Sequence, residues 1–571
     1  MRPRAFLLVL VALWGGGLSV LEAVSVLPSL EFTPGSGVSM KLTSYYDQIP
    51  PCGYLPLRVE VKNGDGAPHR WVLRTEHVVR SNQRMDFATE IRVNAGDVRT
   101  FEILVPLVSQ GNRHVFYSHL NVRITGYGVV DGSSSMYSNR GSGSPTRFFG
   151  MGEELAVPNW GLLENELKKT SSFLAGTSLD GHVLPSDWRG LAGFGVLLFT
   201  AGEWRTISPG SRAALFDWVS QGGRLLLAHD RETGPTDLPP EGPWGAGTIG
   251  RVPTDDLINR LRQELDGDAS LAEVIAEDYS WTWEPAAEVG RLKPPNALIL
   301  LAVVAFAITV GPVNFLVFAS GVHRSRLFWT TPLIAVVATL LMGLFILISE
   351  GVGGRGKVFV ALLTMADQKK SVLWQEQVSR TGVLFGTSFT PSEATALLLP
   401  IQLKEDGRPG RHYSPWSERN RTYALDANRW SGDWFRSRQT QAQLVMTVEP
   451  SRGQFVFDAA ADGTPTVTST FEREMTGLWY FDASGQPWTV GKIAPGETVS
   501  LTRAEKSVFD QWFDRALKPA GALTRERVQG FAKAGLPGKF FAAIPEPVRI
   551  ATLPTIRWED AGGVVFGRAL P

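Results

Sequence analysis

At 571 residues, with 56 Lys+Arg balanced by 56 Asp+Glu, the chain is long enough for three or four domains of ordinary size. It also lacks the basic surplus a nucleic-acid binder presents, so no nucleic acid is expected as a partner. Its one cysteine, Cys52, excludes an internal disulfide framework, a four-cysteine zinc site and a CxxC redox centre. The 18 Trp and 30 Phe argue for packed cores over disorder.

In chain order, residues 1–25 read as an export signal: Arg2 and Arg4, the apolar run Ala5 to Trp14, then small or polar residues. Residues 26–130 alternate apolar and polar in short strands. Leu55 to Lys62 leads into Asn63-Gly-Asp-Gly66, and Trp71 to Leu73, Thr89 to Val93, Thr100 to Val105 and Asn121 to Ile124 follow. That spacing predicts an immunoglobulin-like β-sandwich, and the Ser/Gly-rich stretch 131–146 reads as a linker.

Residues 147–290 change character. Gly193 to Phe199 is a continuous apolar strand of the kind buried on both faces. Ser208 offers a helix cap with Pro209 behind it, and Leu215, Trp218 and Val219 form an inward stripe. Gly222-Gly223 ends the helix, and Arg224 to Ala228 is a second buried strand. Strand, helix, strand at this spacing predicts a right-handed βαβ unit of a parallel α/β domain.

Two uncharged runs follow, 296–322 and 327–349, each long enough to cross a bilayer, joined by the basic turn His323-Arg-Ser-Arg326. A two-helix transmembrane hairpin is expected, entered from outside because of the export signal, with 323–326 in the cytoplasm and both large lobes extracytoplasmic. Pro312 and Asn314 in the first run predict a kink and an interhelical hydrogen bond. Residues 356–571 read as β-rich, with hairpins at Gln443 to Phe457 and Gly477 to Val490, helices near 507–518 and 524–534, and closing strands at Phe540 to Ile544 and Gly563 to Phe566. The fold class is therefore multidomain α/β plus all-β.

The stretch Leu184-Pro-Ser-Asp-Trp188, Gly193 to Phe199, Ser208 to Trp218 and Gly222-Gly-Arg-Leu225 resembles the core of class I glutamine amidotransferase-like domains found in bacterial membrane proteins. The order of segments, with Gly311-Pro-Val-Asn-Phe315 in the hairpin, is similar to one such group. The resemblance implies a flavodoxin-like α/β fold. It also implies a cysteine nucleophile, and 147–290 contains none, so glutamine hydrolysis is not expected to carry over. The residues placed for a ligand are His229, Asp230 and Arg231 after the second strand of the unit, with Glu203 after the first, since doubly wound sheets bind at the carboxyl ends of their strands. His182 beside Asp180 is a weaker candidate.

No H-E-x-x-H and no Walker A motif occurs, and Gly245 to Gly250, although formally G-x-G-x-x-G, follows prolines where a dinucleotide loop would follow a strand. No cofactor and no metal are expected. The charge-dense stretch from Glu418-Arg-Asn-Arg421 to Arg436, with Trp430, Trp434 and Phe435 interleaved, is a further place where an anionic polymer could bind. The expectation is a non-enzymatic protein of the bacterial inner membrane that touches lipid and binds an envelope polymer, or another envelope or membrane protein. The alternatives are an accessory subunit of an ABC-type or export complex, and a hydrolase with a site at His229 and Asp230.

Overall fold

The structure, a computed structural model, describes residues 25–26, 30–79, 83–108, 117–139, 147–158, 174–229, 238–266, 271, 274, 279, 282–290, 296–318, 321–401, 403, 421–459 and 463–569. Residues 1–24, which hold nearly all of the expected export signal, lie outside them. The chain combines one mixed, largely parallel α/β layer with several mostly antiparallel β-sheets.

The N-terminal lobe is two facing sheets. Val38–Ser44, Tyr54–Asn63 and Val98–Pro106 form one, and His69–Val79, Gln83–Val93, Tyr117–Gly126 and Ser133–Asn139 the other. Alternation decides which side chains meet: Leu57, Val59 and Val61 on one strand and Trp71 and Leu73 on another are fully buried. Ser133–Asn139, within the stretch expected as a linker, is the outer strand of the second sheet, antiparallel to Tyr117–Arg123. Composition misled there because an edge strand has one face in solvent and tolerates serine. The rest of that stretch, 140–146, lies outside the described residues.

The second sheet continues into sequence far downstream. Arg421–Asp426 pairs in parallel with Gln83–Ala88, and Arg429–Gly432 pairs with it in turn. Trp430, Trp434 and Phe435, the aromatics of the charge-dense stretch, are buried there and are not open to stacking on a polymer.

In the α/β layer we number the parallel strands β1 (Arg147–Gly152), β2 (Leu174–Leu179), β3 (Val196–Thr200), β4 (Arg224–His229) and β5 (Gly247–Pro253). Their order across the sheet is β2, β1, β3, β4, β5, with Gly242–Trp244 antiparallel at the edge. The expected strand–helix–strand unit is present. Ser208 caps α2 (Pro209–Ser220) by accepting from the Ser211 amide, and Gly222 at φ +112° takes a conformation other residues resist. Thr200 on β3 then lies opposite Ala228 on β4. Gly245 to Gly250 is a turn and the start of β5.

This layer is fastened to both neighbours. Tyr46 donates to the Gly190 carbonyl at 3.0 Å and Thr177 to the Asp47 carboxylate. Gln221 donates to the Thr447 carbonyl at 3.0 Å, and Lys370 pairs with Asp217.

Residues 296–318 are helical, with α geometry to Ile308 and a π stretch over Thr309–Phe318 that contains Pro312. Leu327–Glu350 is one α-helix. The π stretch places Asn314 to donate to Thr331 Oγ1 at 2.9 Å across the pair, the hydrogen bond the sequence suggested. Leu301, Leu316, Trp329 and Leu340 are largely exposed. By length and composition, Arg324–Leu344 is apolar enough to cross a membrane.

The C-terminal lobe is built on a nine-stranded sheet in which Gly354–Met365 pairs antiparallel with Lys370–Thr381 and parallel with Ile556–Arg568. Thr440–Pro450 belongs to this sheet and Phe455–Ala459 to another, so the hairpin expected across Pro450 to Arg452 does not form. Phe455–Ala459 pairs instead with Pro465–Ser469, and Phe455 packs in a separate core with Val467, Phe471 and Phe540. The hairpin pairing Leu478 with Val490 is present, and Lys539–Ala543 closes against Ile556–Arg568.

The C-terminal end of the helix Ala522–Lys533 is met by Lys539, whose ammonium donates to the Phe531 carbonyl and lies 4.3 Å from the Phe531 ring centre. Burial, with Arg568 nearby, pulls its pKa down to about 8 from 10.5. Between those two values the unfolded chain holds a proton the folded chain has released, so stability rises with pH across that window. The gain is at most about 3 kcal/mol. Lys539→Met should flatten it, read as the difference in thermal midpoint between the two proteins from pH 8 to pH 10.

Candidate functional site

In a sheet ordered β2-β1-β3-β4-β5 the chain reverses direction between β1 and β3, and the carboxyl ends of those strands flank a crevice. Gly152 ends β1, and Thr200 ends β3. Directly after it, α1 (Ala201–Thr206) carries Glu203 at its third position. Thr200 and Glu203 form a reciprocal cap: Thr200 Oγ1 accepts from the Glu203 amide at 2.9 Å, and Glu203 Oε2 accepts from the Thr200 amide at 2.8 Å. The pattern Thr200-Ala-Gly-Glu203 is the S/T-x-x-E signature of such a cap, and it was legible in the sequence.

The cap reaches further than its own helix. Glu203 Oε1 accepts from the Glu154 amide at 2.9 Å, at the start of the helical residues 153–158. Thr200 Oγ1 also donates to Glu154 Oε2 at 2.5 Å. A Cβ built on Gly152 would overlap both Glu203 carboxylate oxygens. The Glu203 side chain, only 6% exposed, therefore fills the space between the carboxyl ends of β1 and β3. It accepts hydrogen bonds from the backbone amides of Thr200 and Glu154.

Burial pushes the Glu203 carboxyl above its ordinary range, the Thr200 and Glu154 amides pull it down, and the Glu154 charge pushes it up again. Two carboxylates beside a threonine hydroxyl can hold and relay a proton. That hydroxyl, however, already accepts from one neighbour and donates to the other.

Of the residues expected to hold a ligand, Glu203 and His229 lie on the same edge of the sheet, at the ends of adjacent strands. Glu203 fills the β1–β3 junction. His229 ends β4 one residue past the partner of Thr200, half-buried, with Thr254 donating to its carbonyl at 3.3 Å. Asp230 and Arg231 lie outside the described residues. The His182 amide donates to Asp180 Oδ1 at 2.8 Å, a local turn contact. Gly152, Glu154 and Thr200, which shape the crevice, were not singled out from sequence. Gly152 and Glu154 reach it through folding, from a strand about fifty residues upstream.

At the opposite, amino end of β4 and β5 lies an open cleft of about 380 Å³ lined by Arg224, Arg260, Glu241 and Glu264. Its two arginines face Glu264, at 3.6 Å from Arg224 and 2.9 Å from Arg260. Among the described residues no group of three or more His, Cys, Asp and Glu side chains is gathered as a metal ion needs.

No family model matches the chain, and no curated protein matches it. Among solved structures, β-glucuronidase 2 of Bacteroides uniformis, covalently bound to cyclophellitol-6-carboxylate aziridine, is 11% identical over 35% of each chain, with a TM-score of 0.16. The yeast delta-COP-I mu-homology domain with a Dsl1 WxWxV peptide is 9% identical over 38% of this chain and 96% of that one, with a TM-score of 0.17. A Paenibacillus cycloisomaltooligosaccharide glucanotransferase complexed with cycloisomaltoheptaose is 12% identical over 36% of this chain and 28% of that one, with a TM-score of 0.16. The chain spans about a third of the glucuronidase's length, and at these TM-scores none of the likenesses bears on function.

Proposed function

We propose that the chain is a non-enzymatic scaffold of the bacterial cell envelope, held in the cytoplasmic membrane by its helix pair, with both lobes outside the cell. The lobes would bind an envelope polymer or another envelope or membrane protein. One observation carries the reading: Arg421–Asp426, after the helix pair, is hydrogen-bonded into the same sheet as Gln83–Ala88, before it. Two segments in one sheet occupy one compartment. A chain that leaves that compartment through 296–318 must therefore return to it through 327–350.

The outward apolar side chains of both helices support the lipid assignment, because water would penalise so large an unbroken apolar surface. The basic turn between them suits the cytoplasmic face. In this reading the N-terminal lobe is immunoglobulin-like and the α/β layer flavodoxin-like, the order β2-β1-β3-β4-β5 being that of flavodoxin. The amidotransferase-like resemblance then describes a scaffold whose crevice is closed by Glu203. That closure favours binding through outer surfaces over turnover.

Reporter fusions after Ser325 and at the C-terminus test the topology. The expected result is opposite sides of the membrane, cytoplasmic at Ser325 and extracytoplasmic at the terminus. The same side for both would overturn the reading.

A further inference from the structure

The helix Leu327–Glu350 does not run freely into the C-terminal lobe. Immediately beyond Glu350, the residues 351–353 are stitched to the loop 382–383. The Val383 amide donates to the Gly351 carbonyl at 3.0 Å, the Gly353 amide to the Val383 carbonyl at 3.0 Å, and the Gly382 amide to the Gly353 carbonyl at 2.8 Å. Val352 and Val383 form an isolated bridge. Gly353, at φ +86°, has no room for a Cβ against the Thr555 carbonyl, which locks the junction in place.

The loop is held from its other side as well. The Arg438 amide donates to the Gly382 carbonyl at 3.0 Å, and the Leu384 amide to Ser437 Oγ at 3.0 Å. What the two joined segments display is apolar: Phe385 is 83% exposed and Val352 63%. Nearby in the chain and in the sheet are Arg355, exposed on the strand leaving the junction and opposite half-buried Arg380, which donates to Thr440 Oγ1, and exposed Arg438, whose amide holds the loop.

Two joined segments that show a valine and a phenylalanine to solvent, with arginines on the same segments and their neighbours, one of them beginning directly after an apolar helix, have the composition of a surface that sits at a lipid interface. We infer that 351–353 and 382–386 form a foot that rests on the bilayer. Phe385 and Val352 enter the headgroup–acyl boundary, and Arg355, Arg380 and Arg438 face anionic lipid headgroups. The foot sets the tilt of the C-terminal lobe on the membrane. The inference rests on the reading that Leu327–Glu350 crosses the bilayer, and its test separates the two.

The full chain, in a Cys52→Ala background, is reconstituted in vesicles of mixed anionic and zwitterionic phospholipid. Single nitroxide labels are placed at Phe385→Cys, Val352→Cys, Leu340→Cys and Tyr137→Cys, all exposed positions whose replacement disturbs no core. Collisional relaxation by oxygen and by a water-soluble nickel chelate reports depth. The ratio of oxygen to nickel accessibility should be several-fold higher at 385 and 352 than at 137, and highest at 340. A lipid-like value at 340 with water-like values at 385 and 352 would overturn the foot and leave the span intact. A water-like value at 340 would overturn the span, and the foot with it. In purely zwitterionic vesicles the label at 385 should lie closer to water; an unchanged depth there would overturn the role given to the arginines.

Discussion

Glu376→Ala should destabilise the C-terminal lobe by about 3–5 kcal/mol, lowering the midpoint of its thermal transition by about 10 °C. Glu376 is fully buried on the strand Lys370–Thr381, and its carboxylate is the N-terminal cap of a helix 145 residues away. The helix Ala522–Lys533 begins after Gly521, which has no side chain with which to cap it. Glu376 Oε2 accepts from the Gly521 amide at 2.5 Å. Oε1 accepts from the Thr524 amide at 3.1 Å and from the Tyr279 hydroxyl. Burial pushes the carboxyl above its ordinary range, while the hydrogen bonds from Tyr279, Thr524 and Gly521 pull it back.

Removing the carboxylate strands three buried donors at once, and each costs about 1–3 kcal/mol if nothing replaces its partner. Glu376→Gln keeps the shape but turns an amide N–H toward the Gly521 N–H, so about half the loss is expected. Gly521→Ala should be comparably damaging, since its Cβ would sit 2.6 Å from Glu376 Oε2 and 2.6 Å from the Tyr279 ring. Thermal denaturation of the detergent-solubilised protein measures all three. A midpoint within a degree or two of wild type for Glu376→Ala would show that the cap is not what holds this helix.

The second large effect belongs to the crevice. Gly152→Ala should cost about 2–4 kcal/mol, because the new methyl group and the Glu203 carboxylate claim the same space. Glu203→Ala should cost about 1–3 kcal/mol by leaving the Thr200 and Glu154 amides without an acceptor. The double variant should lose clearly less than the sum, since the methyl then takes volume the carboxylate has vacated. A coupling of 1 kcal/mol or more is expected for groups in contact. Strict additivity in this double-mutant cycle would mean that Glu203 does not fill the junction.

The two sites differ in how much of them sequence could reveal. The unit β3–α2–β4 was readable because its evidence is local: an apolar run, a Ser-Pro start, a stripe at helical spacing and a Gly-Gly stop. Glu203 was placed at the carboxyl edge of the sheet by the same local logic. The part it plays there turns on Gly152 and Glu154, whose approach no short-range pattern encodes. The T-x-x-E spacing from Thr200 to Glu203 carries the signature of a cap, although Thr200 was not singled out. It could not show that the same carboxylate would also close the neighbouring crevice.

Ser133–Asn139 failed the other way. Its serines resemble a linker, and only pairing with Tyr117–Arg123 makes them a strand. The charge-dense run around Trp430 and Trp434 looked like surface chemistry until tertiary packing buried its rings.

By itself, then, the sequence determined what short-range periodicity and composition can encode: the strands of the first lobe, the parallel unit, and two apolar helices with their Asn314 contact. Tertiary structure alone decided which distant groups complete one another. It brought Arg421–Asp426 beside Gln83–Ala88, the Glu376 carboxylate to the bare amides at Gly521, and the Glu203 carboxylate into the space above Gly152. The reason is common to all three. A buried amide or an open strand edge must find a partner, yet the chain's local preferences say only that one is needed, not which residue, tens or hundreds of positions away, will supply it.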